Sequence, residues 1–395
     1  MSPDASEALA VRDKVQQFLN AAVTGNLDFL KSVAGQLDDG KGLSQTVANI
    51  KDANKRGALH FAAREGQIEV CKYLLEDLKL DVNTKDEDGE TPLIHAARQG
   101  HTSTAKYLIE HGANPALSSE LGATALHHVA GIGHIELMEL LLSVGGVVDS
   151  QSDSGTPLVW AAGHAQQDAV KLLLKHKADP NIETDDGVTP LLSTVAAGSL
   201  PCLELLIEAG ANVNITAGGV TPLHIAADIG NTEIIARLIK AKADPNVTDD
   251  EEGLMPVQMA AGRGNKAAVE ILLPLTSRVE TVPDWTVDGI IEHMQAEFNK
   301  EQGTERNTRA NNLPSGSTVS IKEIPEVTPE AKKKAAEAKS RADAAFKQKE
   351  YSMALDAYTQ KFDEAANAFY EGVKLEPENM ELVKAFRKFS KSVKT

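Results

Sequence analysis

The tripeptide Thr-Pro-Leu, intact or decayed, returns along this chain with its third residue at Leu59, Leu93, Leu126, Leu158, Leu191, Leu223 and Val257, at gaps of 34, 33, 32, 33, 32 and 34 residues. A period of this size excludes most compact folds. It belongs to solenoids, in which a unit too small to bury its own apolar face is covered by the next.

Each part of the unit has a physical task. Thr91, Thr156, Thr189 and Thr221 can cap a first helix through the hydroxyl. The proline that follows has its φ preset and no amide to waste. Small pairs such as Ala62-Ala63, Ala96-Ala97, Ala161-Ala162, Ala226-Ala227 and Ala260-Ala261 let neighbouring helices lie close. Glycines at 66, 100, 133, 198, 230 and 264 end that helix in a left-handed conformation. Apolar pairs, from Leu74-Leu75 to Leu272-Leu273, supply the inner face of a second helix. Segments such as Gly210–Asn214 then read as loops that lead to a protruding hairpin.

The pattern resembles the ankyrin repeat, with Thr221-Pro-Leu-His-Ile-Ala-Ala227 nearly the consensus of that family. The resemblance implies an all-α solenoid of helix–turn–helix units with β-hairpin loops. About seven units occupy residues 52–275. Residues 1–51 read as a degenerate N-terminal cap, with Phe18–Gly25 and Leu27–Val33 as its two helices. Residues 276–300, containing Trp285, read as a capping helix, and 301–328 as a disordered linker.

From 329 to 395 the composition turns to Ala, Lys and Glu. Ala342, Phe346, Tyr351, Ala354 and Tyr358 resemble one tetratricopeptide motif, and Ala365, Phe369, Gly372 and Pro377 part of another. Ala354 and Ala365 sit 11 residues apart where one period of about 34 is needed. An internal deletion at the Gln360/Lys361 junction, by splicing or in the gene model, accounts for this. Ankyrin repeats followed by such a segment resemble a plant ankyrin–tetratricopeptide family. That resemblance implies a chaperone-tail clamp: Lys339 matches its first Lys, Asp343 replaces its Asn, and the helices for the rest are missing.

Composition narrows the function. The formal net charge is −17. Residues 330–395 carry 14 Lys/Arg against 11 Asp/Glu, which leaves −20 on the first 329. Such a body repels nucleic acid and anionic membranes and tolerates basic protein surfaces. No apolar run is long enough for a membrane span and no signal peptide is visible, so a cytoplasmic chain, with the nucleus also open to it, is expected. Cys71 and Cys202 lie in apolar helical runs and read as buried, reduced thiols.

No nucleophile elbow, phosphate loop or kinase signature appears, so neither catalysis nor a cofactor is expected. His60, His127 and His224 follow the anchor Leu and read as structural bonds across neighbouring hairpins. The set His127, His128 and His134 lacks partners at zinc spacing. Asp86–Gly89 echoes a calcium loop, but His95 falls where its bidentate Glu belongs.

A protein-interaction scaffold remains, a monomer that grips one or more proteins, with a co-chaperone-like adaptor as the alternative. In ankyrin stacks the hairpin tips and the exposed ends of first helices line a concave groove. By register, the tips contribute Lys55, Arg56, Glu87, Asp88, Glu90, Glu120, Asp185 and Asp186. The first helices contribute Arg64, Arg98, Gln99, Ile132, Trp160, His164, Asp228, Ile229 and Arg263. The tips are mostly acidic, which suits a partner with a basic surface and equally suits solvated turns. Trp160 reads either as an interface indole or as packing beneath the neighbouring hairpin.

Overall fold

The computed structural model describes residues 3–297 apart from 39, 41 and 251. The expected linker at 301–328 and tetratricopeptide segment at 329–395, with Lys339 and Asp343, lie outside the described residues.

Two helices open the chain, α1 (Pro3–Thr24) and α2 (Leu27–Leu37), followed by a short α3 (Leu43–Asn49). Seven helical pairs come next. They are α4 (Ala58–Arg64) with α5 (Ile68–Lys72), α6 (Pro92–Arg98) with α7 (Thr102–Glu110), and α8 (Ala125–Ile132) with α9 (Ile135–Ser143). Then follow α10 (Pro157–Gly163) with α11 (Gln167–Lys175), α12 (Pro190–Ala196) with α13 (Leu200–Glu208), α14 (Pro222–Ile229) with α15 (Thr232–Lys240), and α16 (Pro256–Gly262) with α17 (Lys266–Leu272). A last helix, α18, spans 287–297 and buries Ile290 and Met294.

First helices pack on first helices and second helices on second helices, each pair touching the pair before and after it. One continuous core, from Phe18 to Met294, results. Its centre is the leading leucine of each second-helix pair: Leu74, Leu108, Leu141, Leu173, Leu206, Leu238 and Leu272 are all fully buried. Truncating any one to Ala would cost about 2–5 kcal/mol. Cys71 and Cys202 lie in the same layer, and burial pushes the Cys71 thiol up to about 12.

The caps are as the spacing predicts. The Thr91, Thr156, Thr189 and Thr221 hydroxyls accept the backbone N–H three residues on, at 3.3–3.4 Å. Each such cap is worth ~1 kcal/mol. The glycine stop after a first helix has φ of +70° to +79° in six units. In the unit of α10 the same place is held by Ala165, at φ +55°.

The hairpins differ from expectation. No strand occurs among the described residues, only two isolated bridges, Ser118 with Thr124 and Ala217 with Val220. The reason is that side chains close the tip turns. Asp52 Oδ1 accepts the N–H of Asn54 and Arg56, and Asp86 Oδ1 that of Asp88 and Glu90. Asp249 Oδ1 takes Glu252 and Gly253 in the same way. Carboxylates thus satisfy donors that a ladder would otherwise pair.

Candidate interaction surface

Successive tips are tied together through the main chain. Glu87 N–H donates to the Asn54 carbonyl, Glu120 to Asp88 and Asp153 to Leu121, at 2.7–3.0 Å. Lys55, at φ +59°, pairs with Glu87 at 3.4 Å across the same joint. Glu87, Asp88, Glu120, Asp185 and Asp186 are exposed. They form an acidic edge, held in register by these backbone bonds as far as Asp153.

Several expected tip and helix-end residues turn out to serve the scaffold. Arg56 is half-buried, pairs with Asp52 at 2.7 Å and lies over the Phe61 ring. Arg64 lies over the same ring, 5.3 Å from its centre, and pairs with Glu65. Arg263 bonds Asp228 through Nε at 2.5 Å, linking two neighbouring units. Gln99 is exposed at the C-terminus of α6.

Glu90, expected at a free tip, is buried, with only 9% of its surface exposed. Its carboxylate pairs with Arg98, and its other oxygen lies 3.6 Å from His95 Nε2. His95 Nε2 is 2.9 Å from Asp86 Oδ2, and Arg98 reaches on to His128 Nε2 at 3.3 Å. Asp86, Glu90 and His95 bring three ligand-type atoms within 4.8 Å of one another and are the residues here that could hold a cation. The group is already closed on itself: Asp86 accepts two backbone N–H and His95, and Glu90 holds Arg98. The loop thus has the carboxylate and imidazole that a calcium reading considered, joined directly to each other.

The histidines after the anchor leucine behave as a pair of clips. Nδ1 of His60, His127 and His224 accepts the N–H of Gly57, Thr124 and Thr221. The proton therefore sits on Nε2, which in His127 and His224 donates to the Gly155 and Leu254 carbonyls of the next unit. His60 Nε2 has no partner within hydrogen-bonding range. Burial lowers these imidazoles from the ordinary 6.5, to about 4 in His60 and His127, and lowers the neighbouring His128 to about 3.

One position along the first helices places Phe61, His95, His128 and Trp160 in a row. Trp160 is partly buried, with His127 and His128 edge-on to it at 5.5 and 5.2 Å, and its Nε1 has no partner. Beyond it the surface loses its side chains. Gly163, Ala196 and Ala197 are exposed, and Gly131 lies under the indole. A Cβ on Gly163 would meet nothing closer than 3.8 Å, and Gly163 is not left-handed. Internal packing therefore does not require that glycine, although it costs a helix roughly 0.5–1 kcal/mol. Ile132 and Ile229 flank the stretch with about half of their surface exposed, at 48% and 50%. His164 is exposed beside Trp160, its Nδ1 2.8 Å from the Trp160 carbonyl oxygen.

No helix of the described residues is long and apolar enough to cross a membrane. The family description "Ankyrin repeats (3 copies)" matches residues 18–119, 114–184 and 176–249, and "Ankyrin repeats (many copies)" matches 229–273. Ankyrin repeat and SOCS box protein 16 of Homo sapiens is 40% identical over 100 residues, 25% of this chain and 22% of that protein. Ankyrin repeat protein nuc-2 of Neurospora crassa is 28% identical over 280 residues, 69% of this chain and 22% of that protein. The chain spans less than a quarter of the length of these relatives. The crystal structure of the human ASB11 ankyrin repeat domain superposes with a TM-score of 0.50 at 29% identity, covering 58% of this chain and 98% of that one.

Proposed function

The chain belongs to the ankyrin-repeat family, and from that premise we propose that it is a scaffold that holds a protein partner on its first-helix face, centred on Trp160. Ankyrin repeats generally mediate protein–protein interaction, and no catalytic family is indicated. The observation that carries the reading is the partly exposed Trp160 on a first-helix face where Gly163, Ala196 and Ala197 are also exposed and present backbone and methyl groups alone. A partner side chain seated there would bury the indole, and further partner residues along the same face would meet Ile132 and Ile229; aromatic anchors of this kind carry much of an interface's energy. The acidic edge from Glu87 to Asp186 favours a partner with a basic face, chiefly by speeding its approach.

The test compares three purified proteins as bait in extract from the source cells: wild type, Trp160→Ala with Ile132→Ser, and Asp153→Lys with Asp185→Lys and Asp186→Lys. All three should keep the wild-type circular dichroism. The first variant should lose the specific partner, a loss of about 2 kcal/mol or more for a central Trp. The second should weaken capture most at low salt. Undiminished capture by both variants would sink the proposal.

A further inference from the structure

The solenoid departs from its period near the N-terminus in two adjacent places, and the two departures face each other. Ala21-Ala22 and Ala62-Ala63 occupy equivalent places 41 residues apart, well beyond the 32–34 of every later interval. The excess is housed in α3, inserted where later units have a plain loop. In the following unit α5 runs on into a π-helical turn, Tyr73–Asp77, that takes up one further residue, with Leu78 N–H donating to the Tyr73 carbonyl at 3.1 Å. Ser44 Oγ of α3 donates to the Leu78 carbonyl at 2.5 Å, fastening one irregularity to the other. Lys79 follows in a left-handed conformation, φ +53°.

Beside α3 and the left-handed Lys79 lies a cavity of about 620 Å³, within the range of small-molecule sites. Leu43, Val47, Leu59 and Leu80 supply apolar wall, and Lys51 and Lys79 two ammonium groups. Asp81 lines it as well, its carboxylate accepting the Asn83 N–H of its own loop at 2.9 Å, so the two lysines outweigh it by one positive charge. Neither lysine makes an ion pair among the described residues. A left-handed lysine is less stable than the regular alternative, and Lys79, which adopts that conformation, lines this space.

We propose that the cavity binds a ligand that joins a carboxylate to a branched apolar group. The carboxylate would sit between Lys51 and Lys79, with the apolar group against Leu43, Val47, Leu59 and Leu80. A free organic acid and the C-terminus of a peptide ending in an apolar residue both offer this chemistry. None of these residues belongs to the surface around Trp160, so the proposal stands or falls apart from the scaffold reading.

Calorimetric titration of the full chain decides it, with 4-methylpentanoate as the free acid, N-acetyl-Ala-Ala-Leu as the peptide, and the C-terminal amide of that peptide as the uncharged control. At least one acid should bind with a dissociation constant of roughly 0.1–10 mM, as ligands this small do, and the amide should bind at least tenfold more weakly. Whichever acid binds names the source. Lys51→Glu with Lys79→Glu should remove binding, as should Ala48→Trp, which fills the cavity from its exposed rim. Failure of both acids to bind by about 20 mM, or binding that survives the charge reversal or the amide, overturns the proposal.

Discussion

The imidazoles buried along the first helices tie stability to pH, and the sign follows from their direction of shift. His60 and His127 are lowered from 6.5 to about 4 and His128 to about 3, burial being the largest cause in each. Each is therefore neutral in the fold, and its contribution is complete above the unfolded value of 6.5. As pH falls below that, the unfolded chain binds protons that the fold refuses, and stability drops by up to about 1.4 kcal/mol per pH unit for each histidine. Urea unfolding between pH 6.5 and 4 should show this slope, and His128→Leu should make it shallower by close to one proton; an unchanged slope would show that His128 is not held neutral. A second residue-scale prediction concerns Ala165, which sits at φ +55° where six other units have glycine. The left-handed conformation costs a residue with a Cβ about 1–2 kcal/mol, partly offset by the greater entropy of unfolded glycine. Ala165→Gly should thus stabilise the chain by roughly 0.5–1 kcal/mol, read as a higher urea midpoint at constant slope.

At the scale of elements, loops are joined by an asparagine relay. Asn83 Oδ1 accepts the Asn114 N–H while its Nδ2 donates to the Gly112 carbonyl, and Asn181 does the same for Asn212 and Gly210. Asn214 repeats the arrangement with Asp244 and Lys242. These bonds explain the asparagines that spell glycosylation sequons at Asn214 and Asn246: the amide of each is engaged by the next loop. Asn181→Ala should cost about 1–2 kcal/mol, and Asn181→Asp, which keeps the acceptor and loses the donor, should fall between; equal stability of all three would show that water replaces the relay. The sequence made such elements readable because each residue type repeats at a fixed offset. It did not make their irregularities readable, since a gap records a length and not its place. The 34 residues from Leu59 to Leu93 hide a π-turn inside a helix, whereas the same 34 from Leu223 to Val257 lengthen a tip, where Asp249 N–H reaches the Leu254 carbonyl. Glu90 was misplaced for a related reason. Its burial depends on Arg98 and His95, non-consensus residues of its own unit, and no periodicity announces a group that occurs once.

At the scale of the whole molecule, stability and recognition should separate, because one is a sum over interfaces and the other belongs to particular units. Every described helical pair contacts its neighbours in sequence, so the stack behaves as a nearly one-dimensional array. Excising residues 157–189 removes one full period and joins Thr156 directly to Pro190, leaving a Thr-Pro-Leu anchor at the junction. The shortened chain should still unfold in one transition, with a urea slope lower by roughly one part in eight, since that slope follows the surface exposed. Its melting point should fall modestly, through loss of one interface. Recognition should instead vanish, because Trp160, Gly163 and His164 leave together while the acidic edge from Glu87 to Glu120 and the Arg263–Asp228 pair remain. Excising residues 222–255, Pro222 to Met255, serves as the control: it also deletes one unit, joining Thr221 to Pro256, but spares Trp160. Should the first excision retain the partner and the second lose it, the contact lies nearer Asp228 and Ile229 than Trp160, and the footprint must be moved along the stack.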